Sequence, residues 1–134
     1  MATKRAEKVI DRSADVVWGR IGDFGELSWV PRNAGCEVDG DIRTIYIEGL
    51  DFQAYQQLLE HDDEKRMHRY RTAEAPPGAK RGPIPYIETT LVVTPLDESS
   101  CVVTWDVETD ESAVDATNRE YQGILDNLKV VLET

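Results

Sequence analysis

The chain has 134 residues, enough to bury a real core in one domain but short for two. Asp plus Glu number 26 against 15 Lys plus Arg, a net charge of −11, and no basic run is interleaved with aromatics. That field repels a phosphate backbone and an anionic membrane surface, so nucleic acid is excluded as a partner. No apolar run approaches the ~20 residues of a membrane span, and membrane insertion is not expected.

The N-terminal MATKRAEKV has basic residues with no apolar segment behind them, so it does not read as a signal peptide. Without an export signal, Cys36 and Cys101 are expected to be reduced and buried, and the compartment to be the cytoplasm.

RAEKVID (5–11) reads as an opening strand. Ser13 then caps a short helix carrying Val16, Val17, Trp18 and Ile21, with Asp15 in its first turn. Asp23, Phe24 and Gly25 spell the magnesium-loop triplet of protein kinases. A kinase needs about twice this length, a Gly-rich strand pair and a catalytic-loop Asp and Asn, none of which is present. Glu26, three residues after Asp23, instead predicts a capping box and a second short helix from Phe24 to Trp29, stopped by Pro31.

From residue 35 the pattern alternates with period two. CEVDGD (36–41) turns at Gly40 into IRTIYIEG (42–49), and Gly49 turns into DFQAYQQLLE (51–60). HDDEK (61–65) is a hairpin turn into RMHRYRTA (66–73), and the Pro- and Gly-rich stretch 75–85 is a loop, open between a gate and a passive linker. YIETTLVVTP (86–95) and CVVTWDVET (101–109) are two strong strands. Ser112 and Asp115 predict a capping box before a helix of about 20 residues. Its one apolar face carries Tyr121, Ile124, Leu125, Leu128, Val131 and Leu132.

This is an α+β chain: a curved seven-stranded antiparallel sheet around a long C-terminal helix, with two short helices between strands 1 and 2. The last helix is the only element long enough to cover the apolar face of the sheet. A curved sheet and a straight helix cannot touch along their whole length, so a hollow between them is expected.

Strand alternation selects the side chains that face it. The inward sets are Cys101, Val103, Trp105 and Val107; Ile87, Thr89, Leu91 and Val93; and Arg43, Ile45 and Ile47. Two arginines on one face of 66–73 belong outside, which turns His68 and Tyr70 in. In 52–59 the set Phe52, Ala54, Gln56, Leu58 is preferred. An interior Arg43 is costly unless it is paired or meets water or a ligand.

In order and spacing the chain resembles the START-like or SRPBCC superfamily, in its polyketide cyclase/dehydrase and lipid-transport branch, whose fold is that of the birch-pollen allergen. The resemblance rests on Ala14-Asp15-Val16-Val17-Trp18, Gly22-Asp23-Phe24, Leu27, Trp29 and Pro31, then on Cys36-Glu37 before Gly40, Arg43-Thr44, Asp62-Asp63 and Arg69-Tyr70. It continues through Leu91-Val92-Val93-Thr94-Pro95, Cys101-Val102-Val103-Thr104-Trp105, Gly123 and Leu128-Lys129, and so covers nearly the whole chain. It implies a helix-grip fold over 1–134 with a deep, mostly apolar cavity for lipids, polyketides or other aromatic small molecules. Carriers, receptors and enzymes share that fold, so activity stays open. Many relatives place a Glu where this chain has Gln56, and a Tyr where it has His68. A Gln there would leave Arg43 less neutralised and favour an anionic or carbonyl-bearing ligand.

Two readings stand for each polar candidate. Arg43 can anchor a ligand oxygen or belong to a structural pair. His68 and Tyr70 can act as acid and base or be hydrogen-bonded wall. Trp29 and Trp105 can stack on an aromatic guest or be core. Asn118, Tyr121 and Leu125 on the last helix, with Ile45, Gln56, Ile87 and Thr89 on the sheet, complete the expected lining. His61, Asp62, Asp63 and Glu64 are consecutive on a turn and diverge, so no metal is expected there, and no motif calls for a cofactor. The function expected is binding of a hydrophobic or aromatic small molecule. The alternatives are a polyketide cyclase or dehydratase using Arg43, His68 and Tyr70, and a regulatory interaction protein whose cavity is vestigial. Oligomeric state is not legible.

Overall fold

A computed structural model of the protein describes residues 1–80 and 82–134; of the loop 75–85, Arg81 lies outside the described residues. Strands β1 (Ala2–Ile10), β2 (Asn33–Asp39), β3 (Ile42–Ile47), β4 (Gln53–Asp62), β5 (Met67–Thr72), β6 (Ile87–Asp97) and β7 (Ser100–Thr109) form one antiparallel sheet. Its order is β1-β7-β6-β5-β4-β3-β2, so β2 to β7 run as a meander and β1 closes on the last strand. Helix α1 (Ala14–Ile21) follows β1, and α2 (Val114–Glu133) ends the chain. This is the helix-grip arrangement.

Ser13 caps α1 as expected: its Oγ accepts from the Val16 amide at 3.2 Å. The helix buries Ala14, Val17, Trp18 and Ile21 and ends at Gly22, where a Cβ would meet the Trp18 ring at 2.5 Å. The second short helix expected at Phe24–Trp29 does not form. Asp23 Oδ1 accepts from the Gly25 amide at 2.9 Å, and Glu26 Oε1 from the Ser28 amide at 2.7 Å. Glu26 Oε2 also takes Arg20, so it never reaches back to close a capping box. Six residues are too few to nucleate a helix alone. Successive turns result, with Phe24, Leu27 and Trp29 still buried.

Two further expectations change at α2. Asp110, not Ser112, organises its start, since Asp110 Oδ1 accepts from the Ser112 amide at 2.9 Å and its hydroxyl at 2.8 Å. Asp115 pairs with Lys4 instead of completing a capping box. Tyr121, Ile124, Leu125 and Leu128 are buried, but Val131 is 56% exposed. It lies on the flank that drifts away from the 121–125–128–132 stripe, because 3.6 residues per turn do not divide seven.

Strand parity holds at the central positions, although an irregularity between Leu58 and Glu60 shifts it in β4 and sets His61 opposite His68. Cys101, Val103, Trp105 and Val107, the set Ile87, Thr89, Leu91 and Val93, and Arg43, His68 and Tyr70 are all buried on the concave face. Both cysteines are free; Cys101 is buried, whereas Cys36 is only half-buried. Among the described residues no helix is long and apolar enough to cross a membrane.

Helix α2 lies along β1 and, to a lesser extent, β7, while α1 packs on β6 and β7. Side chains of α2 also occupy the outer edge of β1. Gln122 bonds both the amide and carbonyl of Glu7, Lys129 donates to the Val9 carbonyl, and Glu133 accepts from the Asp11 amide. The helix is therefore held to one side, leaving the concave faces of β3, β4 and β5 without a helix above them.

Leu125, fully buried at that contact, should cost ~2–5 kcal/mol on substitution by Ala. Val131→Ala should change stability by less than about 0.5 kcal/mol. Urea unfolding of the two variants checks both, and equal losses would contradict the helix orientation.

Candidate functional site

Where α2 does not reach, a cavity of about 390 Å³ opens between sheet and helix. Strand parity delivers Arg43 and Ile45 from β3, Gln56 from β4, His68 and Tyr70 from β5, Ile87 from β6 and Trp105 from β7. Trp29 enters from the turns after α1, and Tyr121 from α2. Three expected lining residues sit elsewhere. Leu125 is fully buried in the core. Thr89 lies beneath the wall, donating to the Asp106 carbonyl at 2.8 Å and lying 3.2 Å from the Tyr121 hydroxyl. Asn118 is beside the inward stripe, its Nδ2 buried without a partner. Periodicity had placed these on the right face but carries no information about depth.

Further lining residues, beyond the named candidates, lie mostly on faces that the sequence had already turned inward. Ile47, Phe52 and Ala54 share parity with Ile45 and Gln56, Thr117 and Ile124 flank Tyr121 at helical spacing, and Glu120 is its chain neighbour. Pro83, Ile84 and Pro85 bring the loop before β6 to the wall. Nothing in their composition indicated this.

The polar centre of the cavity is Arg43, 3% exposed. Its guanidinium carbon stands 4.0 Å from the Phe24 ring centre and 4.5 Å from that of Tyr70, so two aromatic rings border the cation. In its own plane, Nε and one terminal nitrogen donate to Gln56 Oε1 at 2.9 and 2.7 Å, and the other donates to the Phe24 carbonyl at 2.8 Å. No ion pair among the described residues includes Arg43. Burial lowers its pKa, against the opposing influence of Tyr70, Cys36 and Tyr121. A guanidinium nevertheless stays protonated at neutral pH. Burial raises the pKa of Tyr70, Cys36 and, most of all, Tyr121, so these groups stay neutral beside it.

His68 is 2% exposed, and its Nδ1 has no partner. Burial first, then the charges of Arg43 and His61, push its pKa down to about 3. It therefore sits in the wall as a neutral ring. Trp105 donates from Nε1 to the Tyr70 hydroxyl at 3.2 Å and stacks on Tyr121, with ring centres 3.9 Å apart and planes 12° apart. Trp29 tilts against Trp105 at 5.6 Å, and its Nε1 is buried and unpartnered.

Beyond the cavity, Trp18 and His61 both donate to Asp63 Oδ1, at 2.9 and 2.8 Å. This ties α1 to the β4–β5 turn. Among the described residues no group of three or more His, Cys, Asp or Glu side chains is arranged to hold a metal.

A family model described as polyketide cyclase/dehydrase and lipid transport matches residues 1–133. Among solved structures, an uncharacterised protein from Bacillus thuringiensis superposes with a TM-score of 0.86 at 21% identity, over 99% of this chain and all of that one. The protein XoxI from Bacillus cereus gives 0.85 at 22% identity, over 100% of this chain and 99% of the other. Norcoclaurine synthase from Thalictrum flavum, in complex with dopamine and hydroxybenzaldehyde, gives 0.67 at 20% identity, over 98% and 87%. Identities this low show a shared fold alone. No curated protein sequence matches.

The depressed pKa of His68 has a consequence for stability. An unfolded chain protonates this ring below about 6.5 and the folded one only near 3, so stability is present above 6.5 and is lost as pH falls. Between pH 8 and 4.5 the loss from this group should be about 3 kcal/mol. His68→Gln should remove that part of the pH dependence in urea titrations; superimposable profiles for the two proteins would contradict the neutral ring.

Proposed function

The chain belongs to the polyketide cyclase/dehydrase and lipid transport family, and from that premise we propose that its cavity holds an apolar or aromatic small molecule. The observation that carries this reading is the hollow itself. At about 390 Å³ it falls in the ~300–1,000 Å³ range of small-molecule sites, with mostly apolar and aromatic walls and a few polar groups. The complex of norcoclaurine synthase with dopamine and hydroxybenzaldehyde supports an aromatic guest, since that protein shares the fold. An open volume of this size weighs against a vestigial cavity. The same reading takes 1–134 as one ligand-binding domain acting in the cytoplasm, supported by two unbridged cysteines.

A cyclase or dehydratase reading draws on one specific observation: Arg43, His68 and Tyr70 line the same space. Arg43 would stabilise developing negative charge on a substrate oxygen. Proton transfer is harder to assign. A ring with a pKa of about 3 is a weak base at neutral pH, and burial holds the Tyr70 proton more tightly than usual. These two protonation states favour binding over turnover.

The neutral apolar fluorophore N-phenyl-1-naphthylamine should gain fluorescence with the wild-type protein at micromolar concentration. Ile45→Trp, which fills the cavity from β3, should weaken that binding at least tenfold while leaving the circular dichroism spectrum unchanged. Equal uptake by both proteins would place the dye elsewhere, and no uptake by either would sink the reading.

A further inference from the structure

We propose that the guest carries a carboxylate, seated on the free N–H groups of Arg43. This rests on the cavity reading above and names the ligand's polar end. A guanidinium has five N–H donors, and three of Arg43's are engaged: two by Gln56 Oε1 and one by the Phe24 carbonyl. Two remain, one on each terminal nitrogen. The rings of Phe24 and Tyr70, 4.0 and 4.5 Å from the guanidinium carbon and with centres 6.0 Å from each other, crowd adjacent sides of the cation, and a guest reaches it from the cavity that it lines. A carboxylate has two oxygens with which to accept from the two free N–H groups.

Charge balance points the same way. Arg43 is nearly inaccessible to solvent, and everything bonded to it is neutral: a side-chain amide and a backbone carbonyl. Taking a charge out of water is costly unless an opposite charge accompanies it. Aromatic rings recover only part of that cost. The carboxylate that lines the cavity is Glu120, exposed on α2, and it forms no ion pair with Arg43 among the described residues. The missing anion must therefore enter with the ligand. Gln56 is the cross-strand partner of Arg43, where a single added oxygen charge would neutralise the site internally. An amide there positions the guanidinium and leaves its charge unspent.

Calorimetry with 2-naphthoic acid and its isosteric neutral amide, 2-naphthamide, tests the proposal at pH 7.5. The wild-type protein should bind the acid at least tenfold more tightly than the amide. Gln56→Glu, which places a carboxylate on Arg43, should abolish that preference while leaving amide affinity within twofold. Arg43→Met should also abolish it, and Gln56→Glu carries the test if the Met variant does not fold. Equal binding of acid and amide by the wild type, or an acid preference that survives Gln56→Glu, would overturn the carboxylate site and leave the cavity reading intact. If neither compound binds and the neutral dye is also rejected, the cavity reading fails and the carboxylate site with it.

Discussion

The architecture depends on where one apolar stripe comes to rest. Tyr121, Ile124, Leu125 and Leu128 bring α2 down over β1 and β7, and no other helix is long enough to cover the opposite half of the sheet. Burial of that stripe drives the contact, and the bonds from Gln122, Lys129 and Glu133 to the edge of β1 fix its lateral position. Had α2 settled over β4 and β5, the inner residues of those strands would be ordinary core. Because it does not, they border a void, and a void leaves its lining without packing partners.

Arg43 sits in that void on terms set by its neighbours. The Phe24 and Tyr70 rings crowd it from two adjacent sides, and Gln56 and the Phe24 carbonyl fix its rotation. The turns after α1 therefore shape the cavity directly: they supply the aromatic lid, the carbonyl acceptor and Trp29. The same charge that awaits an anion helps keep His68 neutral. A site built in this way suits recognition better than proton transfer.

Much of this was legible in the sequence because period two is a strong signal when one sheet face is buried. The interior location of Arg43, His68 and Tyr70 followed from it, and the turns between the runs gave the meander of the later strands, though not the pairing of β1 with β7. The helix expected at Phe24–Trp29 failed for a reason that local spacing does not carry. Glu26 is drawn to Arg20 and Ser28, and only the fold brings those partners into place. Ser112 likewise lost the capping role to Asp110. Depth was the other gap: Thr89 and Leu125 lie on the expected face yet below the lining, because alternation tells in from out but not wall from floor.

The side chains that α2 lays along β1 bear on how this molecule meets copies of itself. An uncovered strand margin is a template for another strand, and here the first margin is occupied by Gln122, Lys129 and Glu133 while β2 ends the sheet on the other side. The bonds at Glu7, Val9 and Asp11 therefore blunt that end of the edge against pairing with a strand from another molecule, while β2 and the first residues of β1 keep theirs open.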